Sequence, residues 1–539
     1  MNSMQKKLWL KRIVLFLIAA IIAALVGGFF LLKNLVGDMW SLAPYANELL
    51  GFSGEKNYLI IFQNNNELRP TGGFISAYGL LRLNKGSYKL KFADSYKLES
   101  VENLSPAPQP FIKLLKDDPN FKGWYFRDGN FNVDFPTSAK DLEKLYNEQS
   151  GNPATSFDGV FAVNSELLED LVSIYNIEIN NKKLDKQNLF ALLEHEVKNI
   201  DTHNTEMLTN RKNILGELAD KLINKIFKSI SKYDDFFEII NTGLSEKKIL
   251  LFFKNPEIQK IAEENAWSGS FSVSNYQNFI YTNIANIGGR KADRYVIKTH
   301  KYFVSFDENG LGKVKYTINL EHLGTKNLNS DIYKAYLRTF IPENEMFEDY
   351  IKIAPGEQKA LTFEYLLPKD TTMENFVLDI VKQPGTKDFW QISIQLPADN
   401  SFRSEELDVR ENLALWSGYL TKDKHFDFNY FKDAFPPLVL WQKFIGQNKI
   451  EIAFGEAVNE KFALNPENYK IEDLNYINNQ TDEIKVKSVK IDDMKVILET
   501  EGISEANEER YSLILKNIED KYQNKTSPDP LKLTVVQRF

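Results

Sequence analysis

The chain has 539 residues, 43% hydrophobic and 13% aromatic, which is apolar material for roughly two to four folded domains. Its formal charge of −8 argues against a nucleic-acid partner, whose phosphates would demand a basic face. It contains no cysteine, which excludes disulfides, thiol catalysis and cysteine-bound zinc together.

The first element is IVLFLIAAIIAALVGGFFLL, Ile13 to Leu32, which carries no charge and is long enough to cross a hydrocarbon core of about 30 Å. Lys6, Lys7, Lys11 and Arg12 precede it and no acid does. The positive-inside rule therefore places a short N-terminus in the cytoplasm and everything after residue 33 outside. A cleaved signal peptide is the rival reading, but FFLL continues past the small residues and the apolar core is long for one. The expectation is a single-pass protein of the cell membrane with its bulk extracytoplasmic.

GDMWSLAPYANELLGFSGEK then reads as a short helical stalk. NYLIIF and FISAYGLLRL predict two strands, and KGSYKLKFADSY predicts a third joined through the Lys85-Gly86 turn. The proline-bearing stretch 103–132 predicts an excursion over the surface. FPTSAKDLEKLYNEQ predicts a helix started at Pro136 and the Thr137-Ser138 pair. FDGVFAVN predicts a buried strand and SELLEDLVSIY a helix after it. Two amphipathic helices are expected over 184–200 and 211–230. Strands alternating with helices imply an α/β domain.

From about residue 270 the signals are strands, with Asn309-Gly310 as a hairpin turn whose two residues both tolerate positive φ. The expected fold class is thus an α/β extracytoplasmic domain followed by β-sandwich-like domains, behind one N-terminal transmembrane helix. The boundaries read as a cytoplasmic tail (1–12), the membrane helix (13–33), the stalk (34–56), an α/β domain (57–260), a β-rich domain (261–415), an aromatic linker (416–446) and a C-terminal domain (447–539).

QNNNELRPTGGF, between the first two strands, is the stretch with the most chemistry in it. Asn64, Glu67, Arg69, Gly72 and Gly73 read either as a solvated turn or as the polar floor of a ligand site. Asp94 at the end of the third strand, Asp158 before the next and Arg211 at the start of a helix are the charged groups that would complete such a site. His195-Glu196-Val197-Lys198-Asn199 begins like a zinc-protease helix but has asparagine where the second histidine belongs. There is no G-x-S-x-G elbow and no P-loop.

NNNELRPTGGFI, FPTSAKDLEKLY, FDGVFAVN, NIGGRKADRYV, AYLRTFIPE and VKQPGT, in that order, resemble a bacterial membrane-anchored family known as domain of unknown function 4012. Residues Phe454 to Val458, Asn468-Tyr469 and Tyr511 to Asp520 resemble the bacterial Ig-like domain of surface-layer proteins, which implies a spacer or adhesive module. The order of elements also bears a weaker likeness to LytR-CpsA-Psr phosphotransferases, which move glycopolymers from a polyprenyl pyrophosphate. That likeness implies Arg69 and Arg211 on phosphate, with Asp94 and Asp158 on a magnesium ion, although the Arg-Ser-Asp and Arg-Asp signatures are absent here. Two functions follow as expectations. One is an envelope protein without a cofactor, binding a wall or surface glycopolymer or a partner protein. The alternative is a magnesium-assisted phosphotransferase acting on a polyprenyl-linked lipid.

Overall fold

The computed structural model describes residues 37–539 except 99–103, most of 187–220 and shorter stretches, the larger being 326–331, 476–479, 504–510 and 536–539. The expected tail and membrane helix (1–33), Arg211 and most of the two helices expected over 184–230 lie outside the described residues. Among the described residues, no helix is long and apolar enough to cross a membrane. The chain forms two compact units, residues up to 396 with 404–428, and residues 397–403 with 429–539.

The first unit begins with a five-stranded sheet. Strands β1 (Lys56–Asn64), β2 (Phe74–Asn84), β3 (Ser87–Asp94), β4 (Gly159–Asn164) and β5 (Ile249–Phe253) lie in the order β3-β2-β1-β4-β5. Only the β1–β4 pair is parallel. Period-two alternation gives β1 two buried faces: Tyr58 and Ile60 join one core, Leu59 and Ile61 the other. Helix α1 (Gln109–Leu115) precedes two helices that match the expected ranges, α2 (Phe135–Gln149) and α3 (Ser165–Tyr175). Leu142 and Leu145 of α2 cover the second face, whereas Leu167 and Leu171 of α3 cover the first. Helix α4 (Tyr233–Ser245), also on the first face, and α5 (Pro256–Glu264) follow.

Several local details differ from expectation. The cap of α2 is Asp134, which accepts from Thr137 N at 2.9 Å, so Pro136 sits inside the first turn. The excursion 103–132 is not purely superficial, because Phe111 and Phe126 are fully buried. The stalk is part of the domain from Gly37 onward. Met39, Leu42 and Leu49 are each 1–2% exposed in the first-face core, and Tyr58 Oη donates to Leu49 O at 2.9 Å. An apolar side chain at every third or fourth position gains more from that core than from water.

The rest of the first unit is two sheets packed face to face. One orders 358–366, 312–322, 296–306, 389–395, 413–419 and 408–410, and the other 345–353, 333–341, 279–286, 377–380 and 424–427. Strand β6 (Phe279–Asn286) is central to the second sheet and buried at every residue, while β7 (Val296–Phe306) and β8 (Gly312–His322) alternate. Thr282 of β6 and Tyr316 of β8 share a 2.7 Å hydrogen bond across the two layers. In the β7–β8 turn only Gly310 takes positive φ, and Asp307 Oδ1 accepts from Asn309 N and Leu311 N. Residues 413–419 and 424–427, inside or beside the expected linker, are strands of this sandwich, with Trp416 edge-on to the buried Phe426.

The second unit holds two four-stranded sheets enclosing one core that includes Ile450, Ile452, Phe454, Tyr469, Leu498 and Leu513. Strand 439–446, expected as linker, pairs with 449–454 and contributes Phe444 to that core. Val458 bridges to Asp520, so two of the segments quoted for the Ig-like resemblance meet. A fragment of residues 436–539 is expected to unfold cooperatively in urea. One starting at 447 loses an edge strand and Phe444 and should be weaker by about 3–5 kcal/mol. Equal midpoints and slopes for the two fragments would contradict this edge.

Candidate functional site

The stretch 63–74 leaves β1, folds on itself and returns as β2. Asn66 N donates to Asn64 Oδ1 at 3.2 Å, Gly72 N to Arg69 O at 3.0 Å, and Phe74 N to Glu67 O at 2.8 Å. Gln63 and Asn130, both buried, donate to Thr71 Oγ1, and Asn130 also to Gly73 O. A Cβ at Gly72 (φ +133) would stand 2.4 Å from Gln63 Oε1, and one at Gly73 2.4 Å from the Asn64 carbonyl. Both positions therefore require glycine.

Arg69 is 3% exposed, and all five of its donors are used. Nε and Nη2 donate to Asp128 Oδ1 at 3.1 and 2.8 Å, and Nη2 also to Glu67 Oε1 at 3.2 Å. Nη1 donates to Leu68 O at 3.3 Å and, in a short contact, to the carbonyl of Asn286 in β6. Burial opposes its charge, but Asp128 and then Glu67 outweigh that and hold Arg69 above its ordinary value. Glu67 moves the other way: burial pushes its carboxyl up, against the pull of Arg69, with Asp128 and Asp293 adding to the rise.

The sandwich answers the loop group for group. Asn286 N donates to Leu68 O at 2.9 Å, and Leu68 N to Asp293 Oδ2 at 2.8 Å. Asp293 also takes Asn286 Nδ2 at 2.7 Å, Tyr333 Oη at 3.0 Å and Lys298 Nζ at 3.3 Å. Asn283 Nδ2 donates to Pro70 O at 3.2 Å. Gln383 Nε2 spans both layers, donating to Arg69 O at 3.2 Å and Ile284 O at 2.8 Å, while its Oε1 accepts from Ile284 N. A Cβ on Gly385 (φ +77) would lie 2.1 Å from Gly72 O, so the two backbones touch there.

The buried charges continue behind this contact. His300 stacks on Trp390 at 4.2 Å and shares hydrogen bonds with Tyr316 Oη (2.6 Å) and Asp388 Oδ2 (3.3 Å). Although burial works against the Asp388 carboxylate, Lys298 and His300 hold its pKa below the ordinary value. Lys382 Nζ donates to Glu246 O and Gln383 O, and burial pushes it down to about 8, Lys247 adding to the drop. Asp423 receives Lys247 Nζ at 2.6 Å and Lys382 N at 2.7 Å.

The sequence-derived candidates separate accordingly. Asn64, Glu67, Arg69, Gly72 and Gly73 lie together in the loop. Asp94 pairs with Ala77 near the same end of the sheet and accepts from Tyr96 N at 3.0 Å. Asp158 is at the other end. Tyr58 is opposite Gly159 and Gln63 opposite Asn164, so Asp158 stands about 20 Å along the strands from the loop. There Asp158 accepts from Lys56 Nζ (3.1 Å) and Asn57 N (2.8 Å). Asp94 and Asp158 thus do not share a magnesium site. Among the described residues, no group of three or more acidic or histidine side chains is placed to hold a metal. Asp128, Asp293, Lys298 and Gln383, which complete the contact, were not singled out from the sequence. Asp128 is 59 positions from Arg69, and no local pattern announces the pairing.

Residues 53–197 match the family described as Protein of unknown function (DUF4012). The match spans the loop and Asp128 but ends before the sandwich residues that receive them. No curated protein matches the chain. Its structure is similar, at 17% identity and a TM-score of 0.14, to the N-terminal part of the bacterial S-layer protein SbsC. That similarity covers 16% of this chain and a fifth (20%) of the other, too little to define a shared fold.

Two outcomes are expected. Arg69→Met leaves Glu67 buried without its cation and Asp128 with only the longer contact to Arg127 Nε (3.6 Å), and should lower the unfolding free energy of the first unit by about 3–5 kcal/mol. Arg69→Lys should recover only part of that, because an ammonium cannot replace the fork. Denaturant titration measures both, and an unchanged midpoint in Arg69→Met would count against the buried pair.

The second concerns pH. Helix α3 begins beside the loop, with Glu166 accepting from Asn65 at 2.7 Å. One turn on, burial first and then Glu166 and Asp170 push Glu169 up to about 7. A carboxyl raised on folding contributes stability below its unfolded value and loses it as pH rises through the folded one. Wild-type stability should therefore fall between about pH 5 and 8 relative to Glu169→Gln. Parallel pH profiles for the two proteins would refute the shift.

Proposed function

We propose that the chain is a single-pass protein of the cell envelope, anchored by residues 13–32 and projecting outward. In this reading it binds a wall or surface glycopolymer, or a partner protein, without transforming it. The observation that carries the proposal is the saturation of Arg69. A group that already satisfies two carboxylates and two carbonyls has no donor left for a phosphate. The loop then serves as a latch between the sheet and the sandwich, and the phosphotransferase assignment of Arg69, Asp94, Asp158 and Arg211 loses its first member. The uncharged run behind Lys6, Lys7, Lys11 and Arg12 supports the anchor. The absence of cysteine suits a protein stabilised by burial alone.

Protease added to intact cells should degrade nearly all of the chain beyond residue 36, and protection of the C-terminal half would reverse the topology. Sedimentation with purified cell wall should persist in excess EDTA, and in Asp94→Asn and Asp158→Asn. Sedimentation abolished by EDTA, or by either substitution in a folded protein, would return a metal-dependent site to the loop.

A further inference from the structure

The folded domain begins almost immediately after the apolar run. Gly37 is already seated (φ +58), with its Cβ position 3.4 Å from Asn241 Nδ2 of α4. Met39 and Leu42, two and five residues later, are 1% exposed in the core. From Leu32 to Gly37 the chain has five Cα–Cα steps, and at full extension these reach at most about 18 Å. That is shorter than α4 itself, whose 13 residues rise about 20 Å. A tether shorter than the helix beside which it ends restricts how far the domain can rotate away from its anchor.

We propose that the flank of the first unit carrying Gly37 and α4 is apposed to the phospholipid headgroups of the membrane that holds residues 13–32. This rests on the anchored reading above. Its exposed groups are Asp38 and Ser41 on the 3-10 helix Gly37–Tyr45, and Asp234, Glu238 and Ser245 on the side of α4 that bears Asn241. Acidic side chains have no attraction for anionic lipid, so the tether, not charge, sets the apposition. The Debye length in physiological salt is about 8 Å, within the tether's reach of at most about 18 Å, and repulsion from anionic headgroups should therefore weaken as salt rises. Helix α2 packs on the opposite face of the sheet and looks away from the membrane.

The natural absence of cysteine makes the test direct. Full-length Ser41→Cys, Glu238→Cys and Lys144→Cys, the last on α2, are each labelled with a fluorophore and reconstituted into phosphatidylcholine vesicles containing headgroup-spin-labelled phosphatidylcholine. Quenching is expected to be several-fold stronger at 41 and 238 than at 144, and to collapse when a long Gly-Ser insert follows Val36. Equal quenching at the three positions, or none at 41 and 238 in protein that resists carbonate extraction, overturns the apposition. Protein that carbonate releases from the vesicles overturns the anchor, and the apposition with it.

Discussion

One buried guanidinium fixes the relation between the two layers of the first unit. Arg69 lies in the loop between β1 and β2, and its guanidinium ends on a carbonyl of β6 with Asp128 and Glu67 closing around it. Removing such a charge from water costs several kcal/mol, and the cost is met only if every donor finds an acceptor. Here every donor does. Any displacement of the sandwich by the width of a hydrogen bond would leave the Asn286 carbonyl or Arg69 unsatisfied. The penalty for wrong placement therefore exceeds the gain from right placement. Such an arrangement contributes more to a unique geometry than to net stability.

The surrounding residues follow from that constraint. Gln383 satisfies both layers with one amide, and Asp293 gathers Leu68 N, Asn286, Tyr333 and Lys298. Gly72 and Gly385 let two backbones approach where any side chain would collide. Polar residues in a row thus mark a contact within the molecule. The stretch looked like a binding site because a protein interior and a ligand make the same demand of a loop: groups that cannot be exchanged for one another.

The elements whose causes are local were legible. Short apolar runs set β1 and β2, and helical spacing set α2 and α3, because each pattern is complete within a dozen residues. What depended on distant partners was not. Residues 37–49 have the composition of a stalk, and only the core reveals that Met39 and Leu42 fill it. The aromatic residues of 416–446 resembled a linker because their partners, such as Phe426 against Phe428 and Trp416, are supplied by sheet order. Residue type alone groups Asp158 with Arg69, whereas the parallel register of β1 and β4 puts it at the other end of the sheet. Sequence spacing carried no information about any of these.

The latch is tested most directly by native-state hydrogen exchange. The amides of Leu68 and Asn286 donate across the contact, to Asp293 and Leu68, and that of Ile284 donates to Gln383, whose own amide reaches Arg69 O in the loop. If the two layers are one cooperative body, these three should exchange only through global unfolding of the first unit, with the same free energy as Ile60 in the centre of β1. Exchange at Leu68 that is orders of magnitude faster than at Ile60, as in a solvated turn, would contradict the account.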